Sequence, residues 1–344
     1  MIYSRIHKIV LLAGVFWALG STCFAGDFTK AKYAGEFLSV GVGARALGIG
    51  GAFVAVADDV TGIYWNPAGL SRVSRPEIMF MHADRFAGVV KYDFAAAVIP
   101  HNNRVAFGIG LVRLGVDDIP HTTLPRQDLQ VGEIYVDDNG NAHVNEPFVE
   151  YAFSNGEYGL FLSFSKMISR RFSYGGSVKI VHKSFDVARA WGVGFDLAAQ
   201  YRLDSGLRFG ANFQDATTTI LAWNSGRKEV LVPTLKLGAA FPFQVEMLPG
   251  RLLPVIDFDV RFDGRKFASQ AAAGFSNFDT HVGLEFEAND FYALRIGSNA
   301  GFFVAGAGLT LGAIHVDYAF QNHSDLGDIH RISLKMRWGK KVKR

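Results

Sequence analysis

Trp191-Gly192-Val193-Gly194-Phe195-Asp196-Leu197-Ala198-Ala199-Gln200-Tyr201 is the stretch that decides how this chain folds. In an extended chain Trp191, Val193, Phe195, Leu197, Ala199 and Tyr201 share one face, and Gly192, Gly194, Asp196, Ala198 and Gln200 share the other. The period is two, the span is about 10 residues, and aromatic rings stand at both ends of the apolar face. A tilted transmembrane strand needs that length, with its rings at the two lipid–water boundaries. Soluble strands average about half as much. Val193 and Leu197 are therefore expected toward lipid and Gly194 toward the interior. Phe172 to Lys183 repeats the pattern, with Phe172, Tyr174, Val178 and Ile180 on one face and Ser173, Ser177 and Lys179 on the other.

Outward from these two segments, the same alternation predicts strands near 78–86, 90–99, 104–114, 158–168, 172–184, 190–202, 206–214, 232–241, 252–262, 280–288, 291–298, 302–310, 313–320 and 329–338. Their number is even, as bacterial barrels require. The long gaps (115–157, 215–231, 263–279 and 321–328) each follow an odd-numbered strand. Most of the other gaps are tight turns, such as Pro100-His101-Asn102-Asn103 and Leu203-Asp204-Ser205. Short turns on one side and long loops on the other give a barrel its sidedness, with the long loops outside the cell. The last strand alternates Ile332, Leu334, Met336 and Trp338 with Arg331, Ser333, Lys335 and Arg337. The basic residues 339–344 after it read as a solvated periplasmic tail.

Composition agrees. The chain is 49% hydrophobic with 30 Phe and 38 Gly, yet beyond residue 25 no apolar run reaches the ~18 residues of a membrane helix. Only helices and closed barrels satisfy their backbone inside lipid, so the fold class is an all-β transmembrane antiparallel barrel of about fourteen strands. A secreted β-sandwich also alternates, but with shorter strands and no such loop parity. Arg5, Lys8, the apolar run Ile9 to Leu19 and the small-x-small site Cys23-Phe24-Ala25 read as a signal peptide over residues 1–25. Without it the chain has no cysteine and is close to charge balance, which excludes a disulfide scaffold and gives no footing for nucleic acid. The domain reading is a signal peptide at 1–25, a plug at 26–76, the barrel at 77–338 and the tail at 339–344.

Residues 35–75 are different in kind. They are small, Gly-rich and without long alternation, and they precede the first strand. A barrel this wide is not filled by its own side chains, and such a segment is suited to plug it. Gly41-Val42-Gly43-Ala44-Arg45-Ala46-Leu47-Gly48-Ile49-Gly50-Gly51-Ala52, then Ala57-Asp58-Asp59, then Trp65-Asn66-Pro67-Ala68-Gly69-Leu70 resemble the PorV/PorQ family of outer-membrane proteins. That family is itself similar to the fatty-acid transporter FadL, whose N-terminal hatch carries an Asn-Pro-Ala element. The resemblance covers about 40 residues and implies a fourteen-stranded barrel with the hatch inside it. It also implies exported polypeptide as a partner, since some members belong to the type IX secretion machinery. The alternative it implies is a passive channel for hydrophobic small molecules such as fatty acids.

The candidate plug and gate residues are Arg45, Asp58, Asp59, Trp65, Asn66 and Pro67. A lone charge in an apolar segment is costly, so Arg45, Asp58 and Asp59 are expected to pair with one another or with lumen charges such as Lys179, Asp196 or Arg337. Pro67 forces an extended residue before it, and the Asn66 amide is able to hold backbone groups. No catalytic residue, cofactor or metal is implied. Gly41 to Ala46 fits a loose dinucleotide fingerprint, but no βαβ unit surrounds it. Asp137-Asp138-Asn139-Gly140-Asn141 departs from a calcium loop, with Ala142 and Phe148 where glycine and glutamate belong. His315, His323 and His330 lack ligand spacing, and no Gly-x-Ser-x-Gly elbow occurs. Membrane lipid is the one partner that the strands themselves require.

Overall fold

The computed structural model describes residues 35–244, 249–264, 269–289, 291–322 and 327–342. The signal-peptide reading of residues 1–25, the first residues of the 26–76 segment, His323 and the last two residues of the tail lie outside them. Fourteen strands close into one antiparallel barrel. They are β1 Glu77–Arg85, β2 Val90–Pro100, β3 Val105–Thr123, β4 Phe148–Met167, β5 Phe172–Phe185 and β6 Ala188–Arg202. Next come β7 (Arg208–Gln214, resumed at Thr219–Trp223), β8 (Lys228–Leu231, resumed at Thr234–Ala240) and β9 (Gly250–Arg261). β10 Ser276–Ala288, β11 Tyr292–Asn299, β12 Phe302–Leu311, β13 Ile314–Gln321 and β14 Ile329–Arg337 complete the ring. Closure lies in β1, where Glu77 is opposite Val98 of β2 and Arg337 of β14. With no free edge, every wall strand has ladder partners on both sides, as lipid demands.

Each expected strand is present, but three of the four long gaps are not loops. β3 and β4 run 19 and 20 residues, so the 115–157 gap shrinks to a tip at 124–147 holding a small hairpin, Ile134–Val136 with Ala142–Val144. Residues 215–231 are mostly the resumed part of β7 and the first part of β8, and 263–279 is partly strand through Ala271–Ala273 and the start of β10. The alternation breaks there for local reasons. Asp215 and Thr218 hold φ of 53° and 58° in a bulge, where the Asp215 N–H donates to Asp196 Oδ1 at 2.8 Å. Pro233 interrupts β8 because it has no N–H for the ladder. The long side is thus built of strands that continue beyond the membrane band. The turns at the other end, 101–104, 168–171, 203–207 and 312–313, are short as expected.

The two faces of β6 settle inside from outside. Trp191, Val193, Leu197 and Tyr201 are exposed, whereas Asp196 and Gln200 are 1% exposed. The lumen wall is itself two-sided. On β1 to β4 it presents Met79, Met81, Tyr92, Phe94, Val112 and Phe161; on β9 to β14 it presents Asp257, Glu285, Arg295, Asp317 and Lys335. Residues 41–71, buried almost throughout, lie against both halves as the helical turns α1 (Ala44–Gly48), α2 (Gly62–Trp65) and the 3-10 segment Pro67–Arg72. Glycine allows the approach. Gly50 holds φ 79°, and a Cβ there would stand 2.5 Å from the Ser298 carbonyl of β11. At Gly69 a Cβ would fall 1.7 Å from the Ala57 carbonyl.

The tail departs from a free extension at its start. The Trp338 N–H donates to Pro76 O at 3.1 Å and the Val342 N–H to Ser74 O at 2.8 Å, so the chain beyond β14 is tied to the strap that leads into β1. Lys340 and Lys341 stay exposed.

Gly194 points inward but has no room, because a Cβ there would stand 1.9 Å from Thr219 Oγ1. Thr310, which faces an open interior cavity, is the better inward control. Val193→Arg should disfavour insertion by ~2–4 kcal/mol, while Thr310→Arg should insert as wild type. Heat-modifiable gel mobility reads both. Equal folded fractions in the two variants would refute this register.

Candidate functional site

The hatch is held in the barrel by side chains, and Asn66 shows how the local sequence makes such a hook. Pro67 excludes the helical conformation from the residue before it, so α2 stops at Trp65 and Asn66 is extended, φ −165° and ψ 97°. From there its Oδ1 accepts the Ala68 N–H at 3.0 Å, capping the next segment. Its Nδ2 donates to Val54 O at 2.9 Å within the hatch and to Ala199 O of β6 at 3.1 Å. One amide therefore ties two hatch segments to the wall. The wall answers in kind, since Asn212 Nδ2 donates to Trp65 O at 2.9 Å and Gln200 Nε2 to Ala57 O at 3.1 Å. Trp65 is a structural pivot here. Its Nε1 donates to Val42 O at 2.8 Å, and its ring packs edge-on to Phe53 and Tyr64.

Arg45 carries the charged part of the attachment. Its Nε and Nη2 grip both Glu285 oxygens of β10 at 2.9 Å, and its Nη1 reaches Asp58 at 3.1 Å and Asp59 at 3.7 Å. Asp59 also accepts from Lys335 of β14 at 2.8 Å and from Thr61 Oγ1 at 2.6 Å. Glu285 is shared with Arg295 at 2.7 Å, and Arg295 bonds Asp317 at 2.7 Å. The result is one alternating chain of charge running from β14 through the hatch to β10, β11 and β13. Burial alone would raise the Asp59 carboxyl; Lys335 and Arg45 outweigh it and hold the group well below the usual carboxylate range. Asp58 is lowered as well, against its own burial, by Arg45 and Arg208.

Arg45, Asp58 and Asp59 thus come together, while Trp65 and Asn66 are tied to β6 and β7 and Pro67 follows them. The expected lumen partners do not join them. Lys179 pairs with Asp196 at 2.9 Å and Asp215 at 2.8 Å, while Arg337 bonds Glu77 at 2.7 Å. Glu285 and Lys335 take their place. Both alternate correctly on their strands as inward charges, but only the register of β10 and β14 brings them to Arg45. Glu77 was also missed; its Oε2 accepts the Val60 N–H at 3.0 Å, a further tie from the first strand to the hatch.

The hatch separates two cavities. One of about 70 Å³ lies toward the long-strand end, against Leu38, Tyr64, Phe161 and Lys179. The other, about 690 Å³, opens at the short-turn end and is bordered by Arg45, Asp58, Arg72, Arg202 and Arg251. Arg45→Ala removes the grip on Glu285 but leaves Asp59 on Lys335 and Glu285 on Arg295. It should loosen the hatch by roughly 3 kcal/mol while the ladder-bonded barrel still folds, and raise single-channel conductance in planar bilayers. Unchanged conductance in a folded variant would remove Arg45 as a latch. Because Asp58 and Asp59 are depressed, their contribution is fully present above their unfolded pKa and lost as pH falls through the folded one. Wild-type conductance should then be flat between about pH 8 and about pH 5, rising only in stronger acid.

No protein-family model and no curated relative matches this chain, so the PorV/PorQ resemblance of residues 41–70 rests on its motifs alone. Solved structures do match. The toluene transporter TbuX of Ralstonia pickettii superimposes with a TM-score of 0.55 at 15% identity, over 87% of this chain and 99% of that one. The Pseudomonas putida toluene transporter TodX gives 0.54 at 13%, over 87% and 99%. A Pseudomonas aeruginosa FadL homologue gives 0.55 at 11%, over 87% and 98%. At these identities the likeness is one of fold: this chain has the fourteen-stranded barrel architecture of these three proteins.

Proposed function

We propose that this chain is a passive channel for hydrophobic small molecules in the outer membrane, with the hatch as its gate. The observation that carries the reading is the form of attachment. The hatch fills the lumen yet joins the wall largely through side-chain hooks and one chain of ion pairs, an arrangement able to open without opening the barrel. Two things support the choice of cargo. The lumen wall on β1 to β4 is apolar, continuous with the hatch core through residues such as Met79, Phe94 and Ile63. The solved barrels of this architecture include proteins described as toluene transporters.

In this reading Arg45, Asp58 and Asp59 latch the hatch, and Trp65, Asn66 and Pro67 form the hinge flank. Membrane lipid surrounds the outer face. The short turns and the tail face the periplasm, and the β3–β4 hairpin stands outside. Nothing in the fold or in its likenesses favours a polypeptide cargo, so the type IX secretion role implied by the N-terminal motifs is left without support.

Uptake of radiolabelled toluene by cells that lack their own hydrocarbon channels tests the proposal. Expression of this chain should speed initial uptake several-fold and leave uptake of a disaccharide unchanged. No acceleration, with the barrel shown to be folded in the outer membrane, would overturn it. Stoichiometric co-purification of exported polypeptides in that same case would restore the secretion reading.

A further inference from the structure

The lumen wall holds a second group of charges, away from the Arg45 chain, that no acid among the described residues neutralises. Arg331 of β14 faces inward and is 2% exposed. Its Nη2 donates to Gln321 Oε1 at 2.9 Å, but its Nε and Nη1 are buried with no hydrogen-bond partner. Ala83 of β1 lies opposite Arg331, so Arg85, two residues on and on the same face, is its diagonal cross-strand neighbour. The Arg85 Nε is also buried and unpartnered. On the other side of Ala83 stands Tyr92 of β2, fully buried, its hydroxyl likewise without a partner.

Four buried polar atoms on three adjacent strands are therefore all able to donate, and they stand next to two guanidinium charges. Among the described residues no acid forms an ion pair with either arginine. Arginine does not shed its proton to escape burial, and an unpaired buried charge is among the most costly features a fold can hold. By contrast Lys179 and Arg295, elsewhere in this lumen, are matched by two acids each. Two guanidinium forks and a phenol on one face are the donor set that recognises an oxyanion. In the next inward row toward the hatch, Met81, Phe94 and Val112 are apolar, and Ser333 opposite Met81 is engaged by the hatch, its Oγ accepting the Ala44 N–H at 2.8 Å.

We propose that Arg331, Arg85 and Tyr92 form an oxyanion-binding site inside the barrel, on the long-strand side of the hatch. Its ligand is a carboxylate or phosphate group, carried by a free small ion or by the head of an amphiphile. The inference concerns occupancy of the lumen, and it stands whether or not the barrel conducts hydrocarbons.

Calorimetric titration of the full chain in a neutral detergent, with chloride as the background anion, tests it with two probes, inorganic phosphate and hexanoate. Saturable binding of phosphate assigns the site to free ions, and saturable binding of hexanoate alone assigns it to amphiphile heads. Either should weaken at least about tenfold in Arg331→Gln and in Arg85→Gln. Thermal unfolding supplies a readout independent of binding. If the Arg331 charge awaits a ligand, Arg331→Met should melt no lower than wild type in buffer free of both probes, and wild type alone should gain stability when the bound probe is added. The proposal fails if neither probe binds saturably, or if Arg331→Gln binds as wild type. It fails equally if Arg331→Met lowers the probe-free melting temperature, because the arginine would then be satisfied within the fold.

Discussion

Everything in this structure follows from one constraint, that a backbone placed in lipid must find all its hydrogen-bond partners in protein. A strand meets it only by having a neighbour on each side, so the sheet must close, and β1 must find β14. Closure fixes the alternation that runs through the chain, with apolar residues facing lipid and a free choice of residue facing in. It also creates the next difficulty. Fourteen strands enclose more space than inward side chains fill, and the N-terminal segment occupies that space with helical turns that satisfy much of their own backbone. The Gly-rich composition is the mark of this fit, since Gly50 and Gly69 stand where a Cβ would collide with backbone carbonyls.

The two parts are held by different forces. The wall is a continuous ladder of backbone bonds, each reinforced by the next. The hatch is held by discrete contacts, chiefly the Asn66 amide, Asn212 and Gln200 on one flank and the Arg45–Glu285–Arg295 chain on the other. Ion pairs at depth contribute little net stability over apolar contacts, because desolvation offsets the attraction. What they supply is position, since a displaced hatch leaves Glu285 and Asp59 with fewer cations. A segment with that balance is well fixed when docked and costs far less to release than a wall strand.

Much of this was legible in the sequence because lipid imposes a period of two. The fourteen strands, their order and the inward or outward sense of Val193, Asp196 and Leu197 all follow from alternation. Thr219–Trp223 of β7 and Lys228–Leu231 of β8 were not legible, because the Asp215–Thr218 bulge and Pro233 interrupt the period. Arg45, Asp58 and Asp59 stood out as charges in a small-residue segment. Their true partners did not, because Glu285 lies 240 residues from Arg45 in the chain and meets it only through barrel closure and register. Arg331 was hidden for the same reason: alternation places it inside, but only the three-strand neighbourhood shows that no acid among the described residues pairs with it.

The central claim is that the hatch is a separately docked unit inside a more stable barrel. Native-state hydrogen exchange on the folded protein, followed by mass spectrometry of peptides from residues 41–73 and from β5 and β6, tests it most directly. The account predicts that the hatch amides exchange together through a low-energy opening while the strand amides remain protected, with a gap of several kcal/mol between them. Exchange of hatch and strand amides at one common rate would contradict it, since the hatch would then be part of the barrel's own folding unit.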